Sequence, residues 1–105
     1  MVQKKLVSGK GVLLNNYRIF ETEQFQKDLR RIVSSGHPKV AQKLRDFVYP
    51  HLREHPHFGP NIRKLKGFDP DTWRYRIGAW RFFCEIDEDE KIVFMIAASH
   101  RASAY

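Results

Sequence analysis

The chain of 105 residues carries a single cysteine, Cys84, so no internal disulfide is available and the fold must be held by burial alone. That thiol sits in the apolar run "WRFFCEI", where a cysteine acts as a small buried hydrophobe rather than a nucleophile, and its solitary use fits a reducing compartment. Long hydrophobic runs are also missing. No stretch approaches the roughly 18 apolar residues that a membrane-spanning helix needs. The N-terminal "MVQKKLVSGKGVLLNN" has only Val12, Leu13 and Leu14 as an apolar centre, too few for a secretory signal. A cytoplasmic protein without a membrane partner is expected. Repeats and low-complexity tracts are absent, and the length fits one domain: residues 1–16 read as a flexible, polar extension and residues 17–105 as the folded unit.

Acidic residues are in short supply, with 12 Asp and Glu against 19 Lys and Arg, a formal net charge of +7. Clustered lysine and arginine release condensed counterions when they meet phosphates, so this surplus points to a polyanionic partner. An acidic protein surface would satisfy the same charge, and a merely solvated basic surface is the plain alternative. A metal site is not expected. His51 and His55 are four residues apart and His57 follows, but Pro50 and Pro56 interrupt the geometry and only Glu54 adds a nearby carboxylate. Nothing in the sequence calls for a small-molecule cofactor.

"YRIFET" reads as a short strand, with Thr22 placed to cap a helix over "EQFQKDLRRIVSSG", where Phe25, Leu29, Ile32 and Val33 form one stripe that Gly36 ends. A second helix starts at Pro38 with the stripe Val40, Leu44, Phe47, Val48 and Leu52, and Pro50 is expected to kink or end it. After "EHPHFGPN" the period changes to two, and "IRKLKG", "WRYRIG", "WRFFCEI" and "KIVFMIAA" read as strands. The expected fold class is α+β: an antiparallel-dominated, twisted sheet with the N-terminal helical pair packed on one face and the other face open.

Gly78-Ala79 joins two alternating runs as a two-residue hairpin turn, and that fixes the register: Ile77 opposite Trp80, Arg76 opposite Arg81, Tyr75 opposite Phe82 and Arg74 opposite Phe83. Trp73, Tyr75, Ile77, Trp80, Phe82, Cys84 and Ile86 then face the helices, while Arg74, Arg76 and Arg81 share the open face. If Leu65 turns to the core, Lys64 and Lys66 join them. Like charges set opposite each other destabilise a sheet, so an anion is expected to compensate the cluster. Internal neutralisation by Glu85 and the acidic turn Asp87 to Glu90 is the competing account. The C-terminal "SHRASAY" adds His100, a proton-transfer candidate near neutral pH, Arg101, able to hold a phosphate bidentately, and Tyr105, able to stack on a base or move a proton. Strict alternation sends His100 and Arg101 to opposite faces.

With "RKLKG", "WRYRIGAWRFFCEIDEDEKIVFMIAASHRASAY" and the helical pair before them, the chain resembles, from about Tyr17 to Tyr105, the RelE/ParE superfamily of bacterial type II toxins. The resemblance implies a compact toxin fold and a cognate antitoxin. In the RelE branch it implies cleavage of mRNA on the ribosome, and in the ParE branch inhibition of DNA gyrase without nuclease chemistry. Residues matching those that act on RNA in RelE-like nucleases are Lys64, Lys66, Arg74, Arg76, Arg81, Arg101 and Tyr105, with His100 beside them, so the resemblance favours the nuclease branch. It implies Arg81 and Arg76 on the phosphate, Tyr105 and His100 as acid or base, Lys64, Lys66, Arg74 and Arg101 as RNA-binding residues, and the ribosome and mRNA as partners. A gyrase-binding inhibitor and a non-catalytic RNA-binding module remain the alternatives.

Overall fold

The structure is a computed structural model and describes residues 16–101, so the expected N-terminal extension, all but its last residue, and Tyr105 lie outside the described residues. Five strands and a helical hairpin follow in the order β1 (Arg18–Glu21), α1 (Glu23–Ser34), α2 (Pro38–Lys43), a π-helical turn (Leu44–Val48), α3 (Tyr49–Glu54), β2 (Ile62–Lys64), β3 (Trp73–Ile77), β4 (Trp80–Asp87) and β5 (Ile92–His100). The sheet order is β1-β5-β4-β3-β2. Among the described residues β1 and β5 run parallel and the other pairs are antiparallel. The helices pack on one face of this α+β sheet, and no helix among the described residues is long and apolar enough to cross a membrane.

Thr22 starts α1 because its Oγ1 accepts the Phe25 N–H at 3.2 Å while its own hydroxyl donates to the Met95 carbonyl at 2.9 Å, so the cap also fastens the helix to β5. Phe25 and Ile32 are buried, and Gly36 leaves the helix with φ of 105°. On the same stripe lies a residue that hydropathy does not flag, Asp28, 6% exposed. Its Oδ2 accepts the buried Ala98 N–H at 3.0 Å, and its Oδ1 accepts from Gln24 (2.9 Å) and Arg31 (3.0 Å). A buried carboxylate is tolerable only when so satisfied.

Pro50 does not end the second helix, which continues to Glu54. The backbone opens before it into the π turn, closed by the Tyr49 N–H donating to the Leu44 carbonyl, and a wider turn relieves the clash a proline ring makes with the turn below it. The extra residue shifts the phase of the stripe. Leu44, Val48, Tyr49 and Leu52 therefore face the core, and Phe47, expected there, is 63% exposed.

Phe25, Leu44, Val48 and Leu52 meet Tyr75, Phe82, Cys84, Val93 and Met95 in one cluster. Each large apolar side chain so enclosed contributes roughly 1.5–3 kcal/mol. Burial pushes the Cys84 thiol up to about 12, which keeps it protonated and inert. Trp80 is only half-buried, at the edge of this cluster.

Candidate nucleic-acid interface

The β3–β4 hairpin forms in the expected register. Gly78 takes φ of 55°, as the first position of a tight hairpin turn requires, and Arg76 pairs with Arg81 and Arg74 with Phe83. On the far side of β3 the register differs from the expectation by one residue. Ile62, not Leu65, supplies the core contact of β2, opposite Tyr75, so Arg63 falls opposite Arg74 on the face turned away from the helices. Lys64 instead pairs with Trp73, on the helix side, and its Nζ lies 3.3 Å from Asp71 Oδ2. Leu65 lies past the end of the strand and Lys66 is exposed in the turn beyond it. A slip of one residue exchanges the faces of a whole strand, which is why the pattern of the sequence points to Lys64 where the fold puts Arg63.

Arg63, Arg74, Arg76 and Arg81 thus form one patch across β2, β3 and β4. Among the described residues no carboxylate lies within ion-pair distance of any of the four. The acidic turn is occupied elsewhere: Glu88 accepts from the Tyr17 hydroxyl at 2.7 Å and contacts His57 Nε2, and Asp87 accepts the Glu90 N–H at 3.0 Å. Internal neutralisation of the patch is therefore not what the fold provides. Phe83 and Ala97, on this same face, are buried at 4% and 5% exposure, so the arginines stand beside an apolar floor. Burial first, then the charges of Arg63, Arg76 and Arg81, holds the Arg74 guanidinium below its ordinary pKa. Its Nε is buried with no hydrogen-bond partner among the described residues. A buried donor left unpaired costs about 1–3 kcal/mol, more when charged, and an incoming anion would remove both that cost and the repulsion.

A β-bulge decides where the C-terminal strand sends its side chains. Cys84 pairs with Met95 but Phe83 pairs with Ala97, leaving Ile96 as an extra residue on β5. Beyond it Ala98 and His100 fall on the helix side and Ser99 on the arginine side, opposite Arg81. His100 therefore does not join the arginines: it pairs with Trp80, their rings perpendicular at a centroid distance of 5.0 Å. Arg101 is exposed, and its N–H donates to the Ala79 carbonyl at 2.7 Å, which brings the end of β5 to the hairpin turn. Ser99 is a second residue of this face that the sequence did not mark.

The other polar clusters are structural. His51 donates from Nε2 to the Phe58 carbonyl at 2.7 Å, and its Nδ1 lies 2.9 Å from the Tyr75 hydroxyl, so the ring ties the second helix to the loop after it and to β3. Burial raises the Tyr75 and Tyr17 hydroxyls, the latter to about 12 with help from Glu88, and raises Tyr49, which donates to Glu21 at 2.5 Å. Among the described residues no three His, Cys, Asp or Glu side chains gather as a metal-ligand set.

Over residues 17–105 the chain matches the family model for the ParE toxin of type II toxin-antitoxin systems, parDE. No curated protein matches it in sequence. Among solved structures, the toxin-antitoxin complex RelBE2 from Mycobacterium tuberculosis is similar at a TM-score of 0.69, with 22% identity over 84% of this chain and 94% of that one. The archaeal RelE–RelB complex from Pyrococcus horikoshii OT3 gives 0.61, with 23% identity over 85% and 99%. The isolated E. coli RelE toxin gives 0.60, with 21% identity over 84% and 87%. At these identities the likeness is one of fold.

Proposed function

Because the chain belongs to the ParE toxin family of type II toxin-antitoxin systems, within the RelE/ParE toxins, we propose that it is an endoribonuclease that cuts mRNA on the ribosome, with the four-arginine face as its RNA site. The observation that carries this reading is a cationic patch with no ion-pair partner among the described residues, the buried, unsatisfied Nε of Arg74 at its centre. Such a surface costs stability and is compensated by a phosphodiester backbone.

The cleavage step needs no metal. The RNA 2′-oxygen attacks the adjacent phosphorus, its proton passing to a base; the bond to the 5′-oxygen breaks, and that oxygen takes a proton from an acid, leaving a 2′,3′-cyclic phosphate. Arg81 and Arg76, paired across the hairpin, bear the charge that builds on the phosphorane oxygens, and Arg74 supplies a further donor. Arg63 and Lys66 extend the contact along the backbone and Arg101 supports it from the end of β5. Tyr105 is the proton-transfer group we assign; His100, across the sheet beside Trp80, is not. The cell partner is a cognate antitoxin, a reading supported by relatives solved as toxin-antitoxin complexes, and the charge of the patch calls for an acidic segment to cover it.

The match to the ParE model itself favours a second reading, binding and inhibition of DNA gyrase through the same face. One experiment separates the two: purified ribosomes programmed with mRNA are incubated with the protein, and gyrase supercoiling is measured in parallel. Discrete cuts with normal supercoiling, lost in Tyr105→Phe, support the nuclease and its acid or base; intact transcripts with arrested gyrase overturn it.

A further inference from the structure

Between the α1–α2 turn and the β3–β4 hairpin, on the helix side of the sheet, lies a cavity of about 390 Å³. That is within the roughly 300–1,000 Å³ of small-molecule sites. Its apolar lining includes Val40, Ile77 and the half-buried indole of Trp80. The indole is fixed edge-on by His37 at 5.1 Å and by His100 at 5.0 Å between ring centroids. Lys39 and Lys43, four residues apart in the second helix, also line it. Among the described residues no carboxylate lines the cavity and neither lysine has an ion-pair partner.

We propose that this cavity binds a purine mononucleotide, its base against Trp80 and its phosphate between Lys39 and Lys43. An indole in the lining offers a planar ring a stacking partner, and two ammonium groups one helical turn apart match a doubly charged phosphate better than a single carboxylate. A free nucleotide fits better than a stretch of RNA, because the sheet itself separates the cavity from the arginines and a bound strand would have to round the hairpin tip to reach both. Trp80 is adjacent to Arg81 in β4 and pairs with Ile77 across the hairpin, so the ligand would rest on the back of the hairpin that carries the arginines. The inference stands apart from the nuclease reading, since the gyrase reading would leave the cavity unchanged.

The test is an NMR titration of the full-length chain with AMP, adenosine, inorganic phosphate and a short single-stranded oligoribonucleotide. AMP should saturate below about 1 mM and move the Trp80 indole N–H and the Lys39 and Lys43 amides, while adenosine and phosphate alone should each bind at least about tenfold more weakly. The double variant Lys39→Gln/Lys43→Gln, altered only at exposed positions, should weaken AMP by about tenfold or more and leave adenosine unchanged, and Arg76→Ala should leave AMP binding intact. No saturation by AMP, adenosine binding as tightly as AMP, or AMP shifts lost in Arg76→Ala rather than in the lysine variant would overturn the site. Displacement of AMP from the Trp80 signal by the oligoribonucleotide in the Arg76→Ala protein would assign the cavity to RNA and overturn the free nucleotide as its ligand.

Discussion

Replacing Arg81 by alanine separates chemistry from folding, because the two effects differ in size. Arg81 is half-buried, pairs directly with Arg76 and is among the charges that depress Arg74. Each like-charged neighbour removed returns about 0.2–1 kcal/mol, while the lost stem of the side chain forfeits some packing of similar size. The net change in stability should stay within about 1 kcal/mol, too little to unfold a domain with about 5–15 kcal/mol in hand. A preorganised charge aimed at the phosphorane is worth more: its loss costs about 2.7–4 kcal/mol, or a hundred- to a thousandfold in rate. A time course of mRNA cutting on programmed ribosomes, read by primer extension beside a thermal melt of the same preparation, measures both. Arg81→Lys, which keeps the charge and loses the two-pronged geometry, should fall between. If folded Arg81→Ala cuts within about threefold of the parent, the interaction removed was worth less than about 1 kcal/mol and the assignment of the phosphate site fails.

The register of β2 makes Arg63→Ala and Lys64→Ala unequal: the first should weaken RNA binding and lower its salt slope by about 1, whereas the second, on the helix side beside Asp71, should leave the slope unchanged when binding is followed by fluorescence anisotropy across salt. Asp28→Ala should destabilise by about 1–3 kcal/mol or more in urea unfolding, because it strands the buried Ala98 N–H, and Asp28→Asn, which keeps an acceptor oxygen, should cost less; equal losses would contradict that account. Burial alone would raise the Glu88 carboxyl, but hydrogen bonds from Tyr17 and His57 and the charges of His57 and Lys91 outweigh it and hold its pKa below the ordinary value. Its contribution is therefore fully present just above the ordinary carboxylate pKa of about 4.3 and is lost as pH falls through the lower native value, so the Tm difference between the parent and Glu88→Gln should be full at about pH 5 and shrink in stronger acid; a difference unchanged between about pH 5 and about pH 2 would refute the linkage.

Local chemistry was enough for the hairpin and for α1. Gly78-Ala79 and the alternation of arginine with aromatic residues leave one workable register, which puts Arg76 opposite Arg81 from sequence alone. Thr22 and the Phe25, Leu29 and Ile32 stripe likewise define the first helix where it stands. The rest depended on partners distant in the chain. "IRKLKG" has apolar residues at both Ile62 and Leu65, an odd number of positions apart, so its pattern fits either face, and only pairing with Tyr75 chose Arg63 over Lys64 for the cationic surface. The π turn before Pro50 moved Phe47 out and Tyr49 in, a change of phase that a fixed helical period cannot express. The strand "KIVFMIAASH" is apolar on both faces, so alternation within it carries no information about which way its end points. Its facing was set by the bulge at Ile96 and by Asp28, seventy residues earlier, accepting the Ala98 N–H. A chain can specify a turn through its own φ preferences, but a two-sided apolar strand takes its register from whatever packs and hydrogen-bonds against it, and here that contact sent His100 to the indole of Trp80 and Ser99 to the arginines.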